Sequence, residues 1–241
     1  MAQADQPNAA SLILIGGGGH AVVVAEAAHL AGLTIAGFLD DHTAAPLAAV
    51  LIDLPQPFAT PRHLGPLSGV GGVVGAGGGP GGSLGVSGRA WMLALGDLKL
   101  RRALLGQIRA LDGPAGRARA GVVVHPRAIV SPTATLGEGV FVGPGAVVHA
   151  RAKVGPHATI NSGAIVEHDC VIDENAHVAP GAALGGACHV GADTLIGLGA
   201  RLLPGVRVGA GAVVGAGAVV LENVRDGAKV VGVPARGVPP N

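Results

Sequence analysis

Every sixth residue from Val124 to Val220 is aliphatic, through Val130, Leu136, Val142, Val148, Val154, Ile160, Val166, Ile172, Val178, Leu184, Val190, Ile196, Leu202, Val208 and Val214, with no break in register. Four places after most of these stands a small side chain, as at Ala128, Ala146, Ala164, Cys170, Ala182, Cys188, Thr194 and Ala212. A period of six is neither helical nor a simple strand alternation, so the repeating unit is a strand plus a turn. One branched residue then points inward, one small residue sits near a corner, and the other positions form the turn and the outer face. Three hexads close a triangular coil of eighteen residues, and stacked coils pair as parallel strands around a continuous core. Pro144-Gly145, Pro180-Gly181 and Pro204-Gly205 fall at one place in the hexad, where proline sets φ and glycine supplies the positive φ of a type II turn.

The N-terminal half has a different rhythm. Leu12, Ile13, Leu14 and Ile15 run into four glycines at 16–19 and His20, a helical pattern continues to about residue 31, and residues 34–39 read as a strand closed by Asp40 and Asp41. Strand, glycine turn, helix and strand open a doubly wound nucleotide-binding unit, where glycines admit a phosphate or ribose and a helix N-terminus favours an anion. Gly16, Gly18 and Ala21 fit G-x-G-x-x-A, and Asp40 is placed for a ribose hydroxyl. That motif is weak alone, and His20 within the turn argues against a full dinucleotide fold.

A later strand, residues 91–95, ends at Gly96 and Asp97 and leads into a helix over about 98–111. Arg101 and Arg102 on this helix either steer phosphates or form a solvated face. The glycine-rich stretch 65–88 is expected to be a mobile loop or to hide a short strand at 72–74. The expected boundaries are 1–112 for the α/β domain, 113–123 for a linker and 124–241 for the repeat.

Composition narrows the function. Aromatics make up 2% of the chain and its net charge is +1, which removes both the stacking surface and the basic footprint of a nucleic-acid binder. Apolar stretches are broken by glycine, proline and polar residues, so no membrane insertion is expected. Residues 1–11 lack a basic start with an apolar signal core, which makes the cytoplasm the expected compartment. Cys170 and Cys188 stand eighteen residues apart at the same inward position and should stack. Strand spacing permits a disulfide there, but a reducing compartment makes them buried thiols. No Cys and His spacing suits a metal.

One coil is polar, with Asn161, Ser162, Glu167, His168 and Asp169, followed by His177. An imidazole beside a carboxylate suits general base catalysis, because the carboxylate holds the tautomer and stabilises the imidazolium. The ladder neighbours of His168 are Ala150 and Gly186, both small, leaving room for a substrate. An exposed surface pair is the alternative for any His-Asp neighbours, and His149, His157 and His189 are assigned to that exposed surface.

The run N-x(5)-E-H-D-C from Asn161 to Cys170, with His177 nine residues after His168, resembles the active-site coil of bacterial hexapeptide-repeat acetyltransferases acting on nucleotide-linked 4-amino sugars. Sialic acid O-acetyltransferase-like proteins form a similar branch. The resemblance extends to the G-x-G-H turn at 17–20, the F-L-D-D strand end at 38–41, the L-G-D strand end at 95–97 and V-G-V-P-A-R at 231–236. It implies a Rossmann-like nucleotide-sugar-binding domain followed by a left-handed parallel β-helix. It also implies a homotrimer with active sites between subunits and acetyl-CoA as co-substrate.

Carried over by residue, His168 would be the general base, Asp169 its partner, and Asn161 a group orienting the amino sugar. His177, Gly186 and Leu198 would lie along acetyl-CoA, and Gly18, Gly19, His20, Asp40, Asp41 and Gly96 would hold the nucleotide-linked sugar. Direct transfer is the implied mechanism, an acyl-enzyme through an inward-facing Cys170 being poorly placed. The competing readings are a sugar O-acetyltransferase, a non-catalytic nucleotide-sugar-binding protein and, for the first domain alone, a nicotinamide-dependent oxidoreductase.

Overall fold

The apolar run Leu12–Ile15 is strand β1, buried along its whole length in the computed structural model, which describes residues 11–47, 61–69, 90–110 and 119–238. On one side β1 pairs with β2 (Ile35–Leu39), which carries β3 (Arg62–Gly65) beyond it, and on the other with β4 (Ala90–Leu93). All pairs are parallel, as a continuous apolar run at the centre of a covered sheet predicts. Helix α1 (Gly19–Leu30) follows β1, and α2 (Leu98–Ala110) follows β4, burying Leu104, Leu105 and Ile108 with Ile13, Ile15, Trp91 and Leu93. In the order β3-β2-β1-β4 the winding reverses between β1 and β4, so the loops after these two strands flank the crevice where such sheets take ligands.

Three features of this unit depart from the sequence-based expectations. Strand β3 has no apolar run to announce it, and its strand state comes from edge pairing onto β2. Gly65 closes β3 and Leu67–Gly69 form a single 3-10 turn, so the stretch 65–88 does not begin as loop; the suggested strand at 72–74 lies outside the described residues. Arg101, expected to face solvent or phosphate, is 1% exposed within the packed side of α2.

The chain divides into two units at Gly121 and Val122. Residues assigned to the linker extend the first sheet, for the Trp91 N–H donates to the Arg119 carbonyl at 3.2 Å and the Gly121 N–H to the Trp91 carbonyl at 2.8 Å.

From β5 (Val123–Val124) to β21 (Val219–Val220) each hexad contributes one two-residue strand. These strands visit three parallel sheets in turn. The first face, eight-stranded, contains β11 (Thr159–Ile160) and β14 (His177–Val178), the second, six-stranded, contains β12 (Ile165–Val166), and the third, five-stranded, contains β13 (Val171–Ile172). Strands eighteen residues apart pair in register, as Thr159 does with His177. The sixth-residue aliphatics and the small residues form one buried core. Where that small position is polar, its hydrogen reaches a backbone carbonyl: Cys170 Sγ donates to Gly185, Cys188 Sγ to Leu203 and Thr194 Oγ1 to Gly209. Both cysteines are free and buried, as expected.

From Gly139 to Gly217 each corner turns on a residue of positive φ three places after the inward aliphatic. At Gly145, Gly181 and Gly205 this is the glycine of the Pro-Gly pairs, and elsewhere Asp169, Asn175 and Asp193 take the same conformation. Asp and Asn enter the left-handed region at smaller cost than other side chains. At the C-terminal end β22 (Lys229–Val231) extends the first face, and β23 (Arg236–Gly237) pairs with it antiparallel.

Candidate active site

His168 and Asp169 occupy the turn between β12 and β13, at the corner joining the second and third faces. Asp169 has φ 61°, and its carboxylate Oδ2 accepts from His168 Nδ1 at 2.8 Å. A guanidinium closes the group. Arg151 stands one coil earlier at the same left-handed position, and its Nε and a terminal amino group donate to Asp169 Oδ1 and Oδ2 at 2.6 and 2.7 Å. Hydrogen bonding first to Arg151 and then to His168 holds the Asp169 carboxyl well below the usual carboxylate range. An ionised carboxylate only accepts, so Nδ1 carries the imidazole hydrogen and Nε2 is left with the lone pair.

Gly186 lies one coil later, where a Cβ would come within 2.7 Å of both Cε1 and Nε2 of His168. The absence of a side chain there lets the ring lie over the next rung with its basic nitrogen uncovered.

Asn161 and His177 form a second group. Asn161 Oδ1 accepts the Ser162 N–H at 2.8 Å, which orients the amide so that its Nδ2 donates to His177 Nε2 at 3.1 Å. His177 therefore holds its hydrogen on Nδ1. Both residues are buried, at 9% and 8% exposure. Leu198 occupies the same corner between the first and second faces two coils beyond Ser162, and its side chain is exposed. The expected residues thus fall into two sets. His168, Asp169 and Gly186 are together at one edge of the second face, whereas Asn161 and His177 are hydrogen-bonded where the first face meets the second, with Leu198 at the same corner two coils beyond Ser162; one chain does not join the two sets.

In the first unit, Gly18, Gly19, His20, Asp40, Asp41 and Gly96 all follow the carboxyl ends of parallel strands. Of the four glycines after β1, Gly16 and Gly17 are packing positions: a Cβ would meet Leu95 at 2.7 Å at the first, and Ala45 at 2.7 Å and Phe38 at 2.8 Å at the second. A Cβ at Gly18, Gly19 or Gly96 would meet nothing within 4 Å. Asp40 Oδ2 accepts the Gly17 N–H at 2.7 Å and Oδ1 the His42 N–H at 2.8 Å, while Asp41 Oδ1 accepts the Leu67 N–H at 2.9 Å, so both carboxylates tie loops together. Burial, and after it the positive charge of Arg101, lowers His20 to about 4, leaving it neutral at pH 7.

Two residues near these groups were not singled out from sequence. Arg151 had a readable signal, since a basic residue eighteen positions before an acidic one stands on the adjacent rung beside it. His63 had none: its Nε2 donates to the Asp40 carbonyl at 2.8 Å only because β3 pairs with β2. His189 is structural, with Nε2 on Asp173 and Nδ1 on Arg207, both at 2.8 Å. Cys170 is fully buried, and its neighbour Cys188 together with burial pushes its thiol up from the ordinary value, so no thiolate is available there.

Comparison with known proteins agrees with both halves. Residues 11–53 match the PglD N-terminal domain, and residues 151–186 match the bacterial transferase hexapeptide repeat. A solved structure of PerB from Caulobacter crescentus in complex with CoA and GDP-perosamine is 33% identical over 96% of this chain and 99% of that one, with a TM-score of 0.79. A histidine-to-asparagine variant of perosamine N-acetyltransferase from the same organism, also with CoA and GDP-perosamine, is 32% identical over 97% and 99%, with a TM-score of 0.78. The acetyltransferase domain of PglB from Neisseria gonorrhoeae in complex with acetyl coenzyme A is 33% identical over 96% and 100%, with a TM-score of 0.78. No curated protein matches the chain. The repeat is accordingly a left-handed β-helix behind a parallel-sheet domain, as expected.

Proposed function

This chain belongs to the hexapeptide-repeat sugar N-acetyltransferases, and on that premise we propose that it moves acetyl from acetyl-CoA to the 4-amino group of a nucleotide-linked 4-amino-4,6-dideoxy sugar, with His168 as general base. The observation that carries this reading is the His168 pair with Asp169: Nδ1 is held by a carboxylate and Nε2 is left free above Gly186. The sugar amine attacks the thioester carbonyl while Nε2 takes its proton. The tetrahedral adduct then collapses with cleavage of the carbon–sulfur bond, and the CoA thiolate departs with a proton returned by the imidazolium. Among nucleotides GDP is the first to test, because two similar structures hold GDP-perosamine.

The working form is a homotrimer with the site between subunits. Outward positions of the second face are largely apolar, with Ile129 66% and Ile165 38% exposed, which marks that face for a partner copy. The two sets of site residues flank this same face, so a neighbouring copy packed there would bring one chain's His168 toward the other's Asn161 and His177. Among the described residues no helix is long and apolar enough to cross a membrane. A cytoplasmic location suits an enzyme drawing on acetyl-CoA and nucleotide sugars.

The test is acetyl-CoA-dependent release of CoA with GDP-, UDP- and dTDP-linked 4-amino-4,6-dideoxy sugars, with 4-hydroxy sugars as controls and light scattering for the oligomeric state. Turnover of one amino sugar supports the reading and names the nucleotide. Turnover of hydroxyl acceptors alone would establish an O-acetyltransferase instead.

A further inference from the structure

We infer that Arg151 is a positioning residue for the transfer step, fixing Asp169 with a two-pronged guanidinium contact so that His168 presents Nε2 in one orientation. This rests on the reading of His168 as the general base. Arg151 Nε donates to Asp169 Oδ1 at 2.6 Å and its terminal amino group to Oδ2 at 2.7 Å, and that same Oδ2 accepts from His168 Nδ1 at 2.8 Å. Both carboxylate oxygens are thereby engaged, and one is shared between guanidinium and imidazole. A fork-to-fork contact of this kind fixes the plane of the carboxylate, which a single hydrogen bond does not.

The fold supplies the contact without a loop to hold it. Arg151 and Asp169 occupy the same left-handed corner position on successive coils, with φ 59° and 61°, and the Asp169 N–H donates to the Ala150 carbonyl at 3.0 Å. Arg151 is tethered from its other side, where its own N–H donates to Thr133 Oγ1 at 3.1 Å.

The need for such a device lies in exposure. The side chains of His168 and Asp169 are 56% and 38% exposed, so packing alone does not hold either rotamer. The guanidinium also changes the chemistry. With Arg151 removed, the Asp169 carboxylate would act on the imidazole alone, which favours the protonated ring more than a carboxylate shared with a guanidinium does. The other charged group at the imidazole's turn is Glu167, whose carboxylate lies 3.4 Å from the His168 N–H. The following coil contributes Gly186 and Ala187, neither charged.

The experiment compares Arg151→Gln, Arg151→Lys, Asp169→Asn and the Arg151→Gln/Asp169→Asn pair in the full chain. Two readouts are taken: the pH profile of kcat/KM, and an NMR titration of the His168 ring that needs no turnover. Arg151→Gln should move the imidazole midpoint and the acidic limb upward together by about half to one pH unit, and lower kcat about three- to tenfold. Arg151→Lys keeps the charge without the fork, so it should restore the midpoint but not the rate. In the Asp169→Asn background the Arg151→Gln effects should shrink toward zero, because Arg151 acts through that carboxylate.

An unchanged midpoint and rate in Arg151→Gln, with His168→Ala inactive, overturns the role of Arg151 and leaves the general base standing. Effects of equal size with and without Asp169 also overturn it. Full activity in His168→Ala overturns the function reading itself, and is seen separately.

Discussion

Gly186 lies one coil after His168 with its α-carbon hydrogens directed at the imidazole, so that a methyl group in their place would stand 2.7 Å from Nε2. The base and the empty space beside it are therefore built by two neighbouring rungs of one ladder. Gly186→Ala should displace the ring and cover its basic nitrogen, lowering kcat roughly 10- to 100-fold. The residue has ordinary turn geometry, so circular dichroism and the melting temperature should barely change. Unaltered turnover in this variant would remove the steric argument.

His168→Ala should lose about 10²- to 10⁴-fold in kcat while binding acetyl-CoA as the wild type does, measured by calorimetry. Asp169→Asn should lose less, about 10- to 100-fold, because the base remains and only its tautomer and orientation are disturbed. Arg151 and His168 hold the Asp169 carboxyl below its usual range, so it is ionised throughout pH 5–9. An acidic limb of kcat/KM within that range then reports the imidazole and should vanish with His168 rather than shift.

Cys170→Ala separates direct transfer from an acyl-enzyme. The thiol is fully buried and donates to the Gly185 carbonyl at 3.2 Å, so its loss should cost about 1 kcal/mol of stability and leave kcat within about twofold. Initial-rate patterns should show a ternary complex. Ping-pong kinetics, or an acetyl group on this cysteine by mass spectrometry, would contradict the mechanism.

His20 makes the first unit sensitive to acid. Its folded pKa of about 4 lies below the unfolded value near 6.5, so between these limits the unfolded chain binds a proton that the folded unit does not. Stability from this group is complete above pH 6.5 and falls as the pH drops toward 4, by up to roughly 3 kcal/mol. Trp91, the single tryptophan, is buried in β4 of the same unit and reports its unfolding by fluorescence. Urea midpoints for wild type should drop over this window more than those of His20→Asn; parallel curves would refute the assignment.

Much of this was legible in the chain because a solenoid converts sequence distance into spatial distance at a fixed rate. A period of six with a coil of eighteen places each inward residue, stacks Cys170 with Cys188, and sets Ala150 and Gly186 on either side of His168 before any coordinate is known. The same arithmetic places Arg151 on Asp169, although the charge pair passes unnoticed unless one counts coils. In the first unit, β1, β2 and β4 announced themselves because buried parallel strands need unbroken apolar runs, whereas β3 did not, since an edge strand is defined by its partner.

The repeat, its core, the glycine turn after β1 and the adjacency of His168 and Asp169 all follow from local periodicity and neighbouring positions along the chain. Packing in three dimensions sets the hydrogen bond from Asn161 to His177, the burial of Arg101 beside α2's core residues, and the use of the Asp40 carboxylate on the Gly17 and His42 amides. Those outcomes depend on which way a corner turns and on which backbone donors come within reach of a side chain, and neither is a property of spacing along the chain.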